Sequence, residues 1–166
     1  MFKATILSRM YFSYYQFMIA DANVQELGCK WTAAHTSQGF ARRDDFVSFN
    51  TLLQFGDAIP RVVCGPVMPD SSYERAISVP LYCDTGQLQV VGIEEFDVVR
   101  HIKLDKGHYR VTAAQVVSGE EELILDIFLE RLDAPLSKSV IVLADSMLSP
   151  PTELIEWSEV PDADKK

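Results

Sequence analysis

Chemistry needs groups that converge, and the reactive residues of this chain carry no pattern that brings them together. His35, His101 and His108 are its three histidines. None stands in a metal or hydrolase spacing such as H-E-x-x-H or G-x-S-x-G. Cys29, Cys64 and Cys83 are odd in number and far apart, with no C-x-x-C and no neighbouring histidine. That usage fits buried thiols in a reducing compartment and predicts neither a disulfide framework nor a zinc site. Asp44-Asp45 and Glu94-Glu95 could supply an acid and a base. Neighbours on a strand point to opposite faces, however, so neither pair is expected to meet one substrate. Lys138 between Ser137 and Ser139 lacks a supporting pattern, and the eight glycines are scattered rather than gathered into a phosphate loop. These residues predict no catalytic site, no cofactor and no metal.

Charge offers a stronger lead. Residues 1–83 carry seven acids and seven bases; residues 84–166 carry seventeen acids and eight bases, so the whole net charge of −9 lies in the second half. A field of one sign on part of a small protein steers an oppositely charged partner and repels nucleic acid. The sequence pI of about 4.7 points the same way: a basic partner, and no direct binding of nucleic acid. The acids recur at strand starts, in Glu94, Glu95 and Asp97 and again in Glu120, Glu121 and Glu122. Glu122, Asp126 and Glu130, spaced by four, share a face whether their segment is strand or helix. This set, Glu94 to Glu130, is the expected partner-binding surface.

The elements that must position these residues read as mainly β. The expected strands are residues 7–19, 46–49, 59–64, 73–82, 88–93, 96–104, 109–117 and 139–143. Asp84-Thr85-Gly86, Asp105-Lys106-Gly107 and Ser118-Gly119 supply turns between them. A short helix follows Trp31, capped by Thr32 and ended by Gly39. Residues 121–132 fit both a strand and a helix period, with the strand preferred because it completes a hairpin. Short strands at this pitch predict an antiparallel β-sandwich over residues 1–148. Residues 149–166 form an acidic tail with Pro150, Pro151 and Pro161, read as a solvated end or as an arm whose Trp157 docks on the body or on a partner. Nothing at the start reads as a signal peptide and no run of 18 apolar residues occurs, so a cytoplasmic protein with no membrane span is expected.

Several segments, in order, carry a resemblance. They are Ser13-Tyr14-Tyr15-Gln16-Phe17, Trp31-Thr32 with Gly39-Phe40, and Val47-Ser48-Phe49. Ser72-Tyr73-Glu74-Arg75-Ala76-Ile77-Ser78-Val79-Pro80, Lys106-Gly107-His108-Tyr109-Arg110 and Leu123-Ile124-Leu125-Asp126 follow. This series resembles the competence protein J (ComJ) family over roughly residues 11–132. The resemblance implies a non-enzymatic inhibitor of a bacterial DNase, with the acidic protein filling the basic cleft in which the enzyme grips DNA. Two other functions stay open on the residues: an immunity protein against a toxic nuclease, and a sandwich module that binds a small molecule or carbohydrate through Tyr11, Tyr14, Tyr15 and Trp157. A hydrolase would need two acids within reach of one water.

Overall fold

In the computed structural model, which describes residues 3–95 and 98–161, the alternating sequence becomes two packed sheets. The first half runs β1 (Lys3–Ile6), β2 (Met10–Phe12), β3 (Gln16–Asp21), α1 (Ala33–Gln38), β4 (Phe40–Arg43), β5 (Phe46–Asn50), β6 (Gly56–Ala58) and β7 (Arg61–Cys64). The second half runs β8 (Arg75–Cys83), β9 (Gln87–Gly92), β10 (Arg100–Lys103), β11 (Gly107–Gly119), β12 (Glu122–Leu132) and β13 (Val140–Leu143).

The larger sheet has the order β1-β7-β12-β11-β8-β13, with β6 alongside β12 and β2 outside β6; the smaller is β10-β9-β3-β5-β4. Pairing is antiparallel except where β12 meets β6 and β7. The inward residues of both sheets, among them Phe12, Phe17, Phe49, Val79, Val111, Leu125 and Ile127, make one core. Residues 121–132 thus resolve as strand: Leu123, Leu125, Ile127 and Leu129 face that core while β12 pairs with β11 along most of its length. Val67 and Tyr73, from the loop before β8, cover the outer face of the larger sheet over Phe128 and Ala114.

Thr32 caps α1 by accepting from the His35 N–H, and Gly39 ends it in the left-handed region at φ 87°. Trp31 ties this helix to the smaller sheet by donating its indole N–H to Gln16 Oε1 at 3.0 Å.

One expectation changes, and one that was left open is decided. Residues 7–19 are not one strand. The chain reverses at Ser13–Gln16, so β2 joins the larger sheet and β3 the smaller. The central residues of that reversal, Tyr14 and Tyr15, both have positive φ, 55° and 58°. The acidic tail, as far as it is described, is not a frayed end. Ile155 N–H donates to Gln38 Oε1 while Gln38 Nε2 donates to the Ile155 carbonyl; Glu156 accepts from Arg42 and from Ser139; the Ser158 hydroxyl donates to the Arg42 carbonyl. The segment docks on the protein's own body, with Trp157 itself left largely exposed. The start of the expected strand at residues 96–104 lies outside the described residues, and β10 is its described part.

Candidate partner-binding surface

Register, more than sequence position, gathers the acids. Tyr11 on β2 lies opposite Asp57 on β6, and Asp57 lies opposite Glu122 on β12. Met10, Phe12, Ala58 and Leu123 take the alternate, buried positions, so Tyr11, Asp57 and Glu122 look outward together. Ile124, two residues past Glu122 on β12, and Ile59, just beyond the end of β6, are exposed beside them. The hairpin tip at Glu120–Glu121 closes against β6, where the Asp57 N–H donates to the Glu121 carbonyl at 2.9 Å. Gly56 makes that approach possible: a Cβ there would sit 2.6 Å from the Glu121 carbonyl oxygen.

Glu95 arrives from the β9–β10 connection. Its Oε1 accepts from the Tyr11 N–H at 2.8 Å and from Arg100 Nη2 at 3.2 Å. Arg100 is itself buried and also donates to the carbonyls of Ser8 and Arg9, so Glu95 anchors β2 and has its charge answered there. Glu94 beside it is exposed. Glu74 joins from the start of β8, accepting from the Val117 N–H at 2.8 Å. One end of the molecule therefore presents Tyr11, Ile59 and Ile124 among Asp57, Glu74, Glu94 and Glu120–Glu122. Arg9 answers Asp57 loosely there, at 3.8 Å with both side chains exposed.

The remaining acids of the expected set are elsewhere or already engaged. Asp126 is only 5% exposed. It accepts from Arg61 Nε at 3.2 Å and Nη2 at 2.9 Å, and from the Tyr73 hydroxyl. Burial, reinforced by that hydrogen bond to the carboxylate, pushes the Tyr73 phenol up to about 12. Glu130 pairs with Arg110 across the β11–β12 ladder. Both acids share the outer face with Glu122, as their spacing requires, but their charge is answered within the protein. Asp97 lies outside the described residues. Asp57 and Glu74 escaped the sequence reading because they belong to the half whose charges cancel, and only the β6–β12 and β8–β11 pairings carry them to this end.

The groups with catalytic potential are dispersed. Asp44 is exposed and lies 3.9 Å from Arg42. His35 Nδ1 takes the Thr32 N–H and its Nε2 faces the Trp157 carbonyl, so this histidine caps a helix and fixes the C-terminal segment. His108 packs on the Tyr82 ring, with centroids 4.9 Å apart. Among the described residues no three His, Cys, Asp or Glu side chains stand close enough to hold a metal ion, and no helix is long and apolar enough to cross a membrane.

Residues 9–131 match the family model for competence protein J (ComJ). The chain belongs to the ComJ family. Its fold is shared with the crystal structure of ComJ from Bacillus subtilis, described as the inhibitor of the DNA-degrading activity of NucA. The two are 21% identical, with a TM-score of 0.68 over 80% of this chain and 99% of that one. A second solved structure, that of crocagin biosynthetic gene J, is 14% identical, with a TM-score of 0.54 over 77% of this chain and 97% of that one. At these identities the two likenesses speak for the ComJ fold alone. A search of curated proteins finds no match.

Proposed function

We propose that this ComJ-family protein binds and inhibits a basic, NucA-like bacterial DNase without chemistry of its own, by setting its acidic end into the cleft where the enzyme grips DNA. The observation that carries the reading is the register-built end of the larger sheet, where exposed Tyr11, Ile59 and Ile124 lie among Asp57, Glu74, Glu94 and Glu120–Glu122. An apolar centre with a charged rim is the composition of a protein-binding surface. A nuclease cleft must be positive to hold phosphates. Carboxylates held at fixed spacing compete for those cations, and the body of the sandwich then excludes DNA sterically. Three unpaired thiols suit the reducing cytoplasm, which is where we place the protein.

The test is plasmid cleavage by the NucA-like DNase of the organism that encodes this chain, with the purified protein in excess, across a series of salt concentrations. Protection that is strong at low salt and weakens as salt rises is expected. Undiminished cleavage at low salt would overturn the reading.

A further inference from the structure

Phe40 on β4 faces the core, so strand alternation turns Arg42 inward too, between the two sheets. Its side chain is only 8% exposed, and its hydrogen bonds do not close. Nη1 donates to the Glu156 carbonyl at 2.9 Å and to Glu156 Oε1 at 3.3 Å. That carboxylate is otherwise engaged, since the Ser139 N–H and hydroxyl both donate to it at 2.7 Å. Nη2 faces Asp44 at 3.9 Å, beyond hydrogen-bond length, and the Asp44 side chain is 87% exposed. Nε is buried with no partner. Among the described residues, the Nε–Nη2 edge of Arg42 therefore makes no hydrogen bond.

Native folds leave few buried donors unpaired, because each one costs free energy. The unpaired edge is also the side-on fork by which a guanidinium takes a carboxylate through two parallel bonds. Burial lowers the Arg42 pKa even with Glu156 and Asp44 beside it, so its charge is incompletely answered.

Arg42 and Asp44 line a cavity of about 600 Å³, within the range of small-molecule sites. Its other walls include Pro80 and Tyr82 of β8, His108 of β11, and Pro135, Leu136 and Ser137 after β12. The Tyr82 N–H donates to the Asp44 carbonyl at 2.8 Å, which fastens the walls from the two sheets together. The Tyr82 and His108 rings pack at a tilt, and Tyr82 remains 36% exposed. This site is far from the acidic end: His108, near the start of β11, and Gly119, at its close, are about 35 Å apart along the strand.

The lining sets the chemistry of the occupant. Arg42 is its one permanent cation, and Asp44 adds a carboxylate at the exposed side. That balance matches a single negative charge and disfavours a multiply charged anion such as phosphate. The proline, leucine and ring surfaces match an apolar body. We propose that this cavity is a small-molecule site for a ring-bearing monocarboxylate, whose carboxylate takes the Nε–Nη2 edge of Arg42 and whose ring packs against Tyr82 and His108. The site is separate from the nuclease reading and stands or falls without it. Asp44 is then a competitor, repelling the carboxylate that approaches Nη2.

The experiment follows the Arg42 Nε–H cross-peak by NMR while the full chain is titrated with phenylacetate or benzoate, with phenylacetamide and inorganic phosphate as controls. Both carboxylates are expected to move that peak, with a Kd of about 1 mM or tighter, and the controls to leave it in place. Asp44→Asn is expected to tighten phenylacetate binding about threefold to tenfold. Ser137→Glu, which sets a second carboxylate in the wall, is expected to weaken it about tenfold or more. Both changes fall on exposed side chains, so Tm should stay within about 2 °C of wild type. A peak that neither carboxylate moves overturns the site. An equal response to phenylacetamide overturns the guanidinium contact, and an equal response to phosphate overturns the choice of a ring-bearing monocarboxylate. Unchanged binding in both folded variants places the ligand elsewhere and overturns the proposal.

Discussion

Single residues separate structural carboxylates from those free to meet a partner. Asp126 spends its charge on Arg61 and Tyr73 beneath the loop before β8. Asp126→Asn is therefore expected to cost about 1–3 kcal/mol in chemical denaturation, and to leave inhibition by the folded fraction unchanged. Loss of inhibition without loss of stability would place Asp126 in the interface instead. Asp21 is a second structural carboxylate, 1% exposed. Burial alone would raise its pKa, but hydrogen bonds from Thr85, Asn23 and Asp84 outweigh that effect and hold it below 3.8. Asp145 is lowered likewise, with the Arg75 guanidinium overcoming its burial. A carboxylate depressed in the folded state contributes stability that is present above its unfolded pKa and lost as pH falls through the folded one. Asp21→Asn should accordingly melt below wild type at pH 6, with the gap narrowing as pH falls below the ordinary aspartate pKa of about 4. A gap that stays constant over that range would show that Asp21 acts by shape and not by charge.

At the scale of elements, the sequence was legible where local chemistry decides the conformation. Thr32 and Gly39 mark the ends of α1 because capping is a short-range interaction. Leu123, Leu125, Ile127 and Leu129 mark the inner face of β12 because alternation survives any register. It misled where local preference is overruled. Tyr14 and Tyr15 have the β-propensity of a strand, and no Gly, Asn or Asp stands at the two central positions, yet the chain reverses there. For the C-terminal segment, rich in proline and acid, the sequence left a solvated end and a docked arm both open, and in the fold Glu156 answers Arg42, which is 7% exposed on the edge strand β4. That clasp is built from side chains, and no propensity reports it. Glu156→Gln is expected to cost about 2 kcal/mol by leaving buried Arg42 only the looser, exposed Asp44 at 3.9 Å, measured as a lower denaturation midpoint at unchanged m-value. A change within about 0.5 kcal/mol would mean that the segment rests on the body without holding it.

For the whole molecule, the split of charge at the chain midpoint is partly a consequence of reading the chain in a line. Arg42, Arg61 and Arg75 of the neutral half are paired with Glu156, Asp126 and Asp145 of the acidic half. Those three acids, together with Glu130 on Arg110 and Glu95 on Arg100, are answered inside the fold. Strand pairing gathers part of the remaining negative charge at one end, and that part includes Asp57 and Glu74 from the other half. Long-range steering depends on net local charge, and a buried pair contributes little to it. Glu121→Lys with Glu122→Lys should therefore slow association with the DNase about tenfold or more at low salt and flatten the salt dependence of inhibition. Asp44→Lys with Asp45→Lys makes the same change in net charge on the connection between β4 and β5, in the smaller sheet. It should leave the association rate within about twofold, since exposed charges beyond a Debye length of about 10 Å at 0.1 M salt are screened. Stopped-flow association of the two variants decides between a surface and a sum. Equal slowing would mean that only total charge matters and that the register-built end has no special part in binding. Slowing confined to Glu121 and Glu122 would locate the encounter where β2, β6 and β12 bring acids from both halves of the chain to one end.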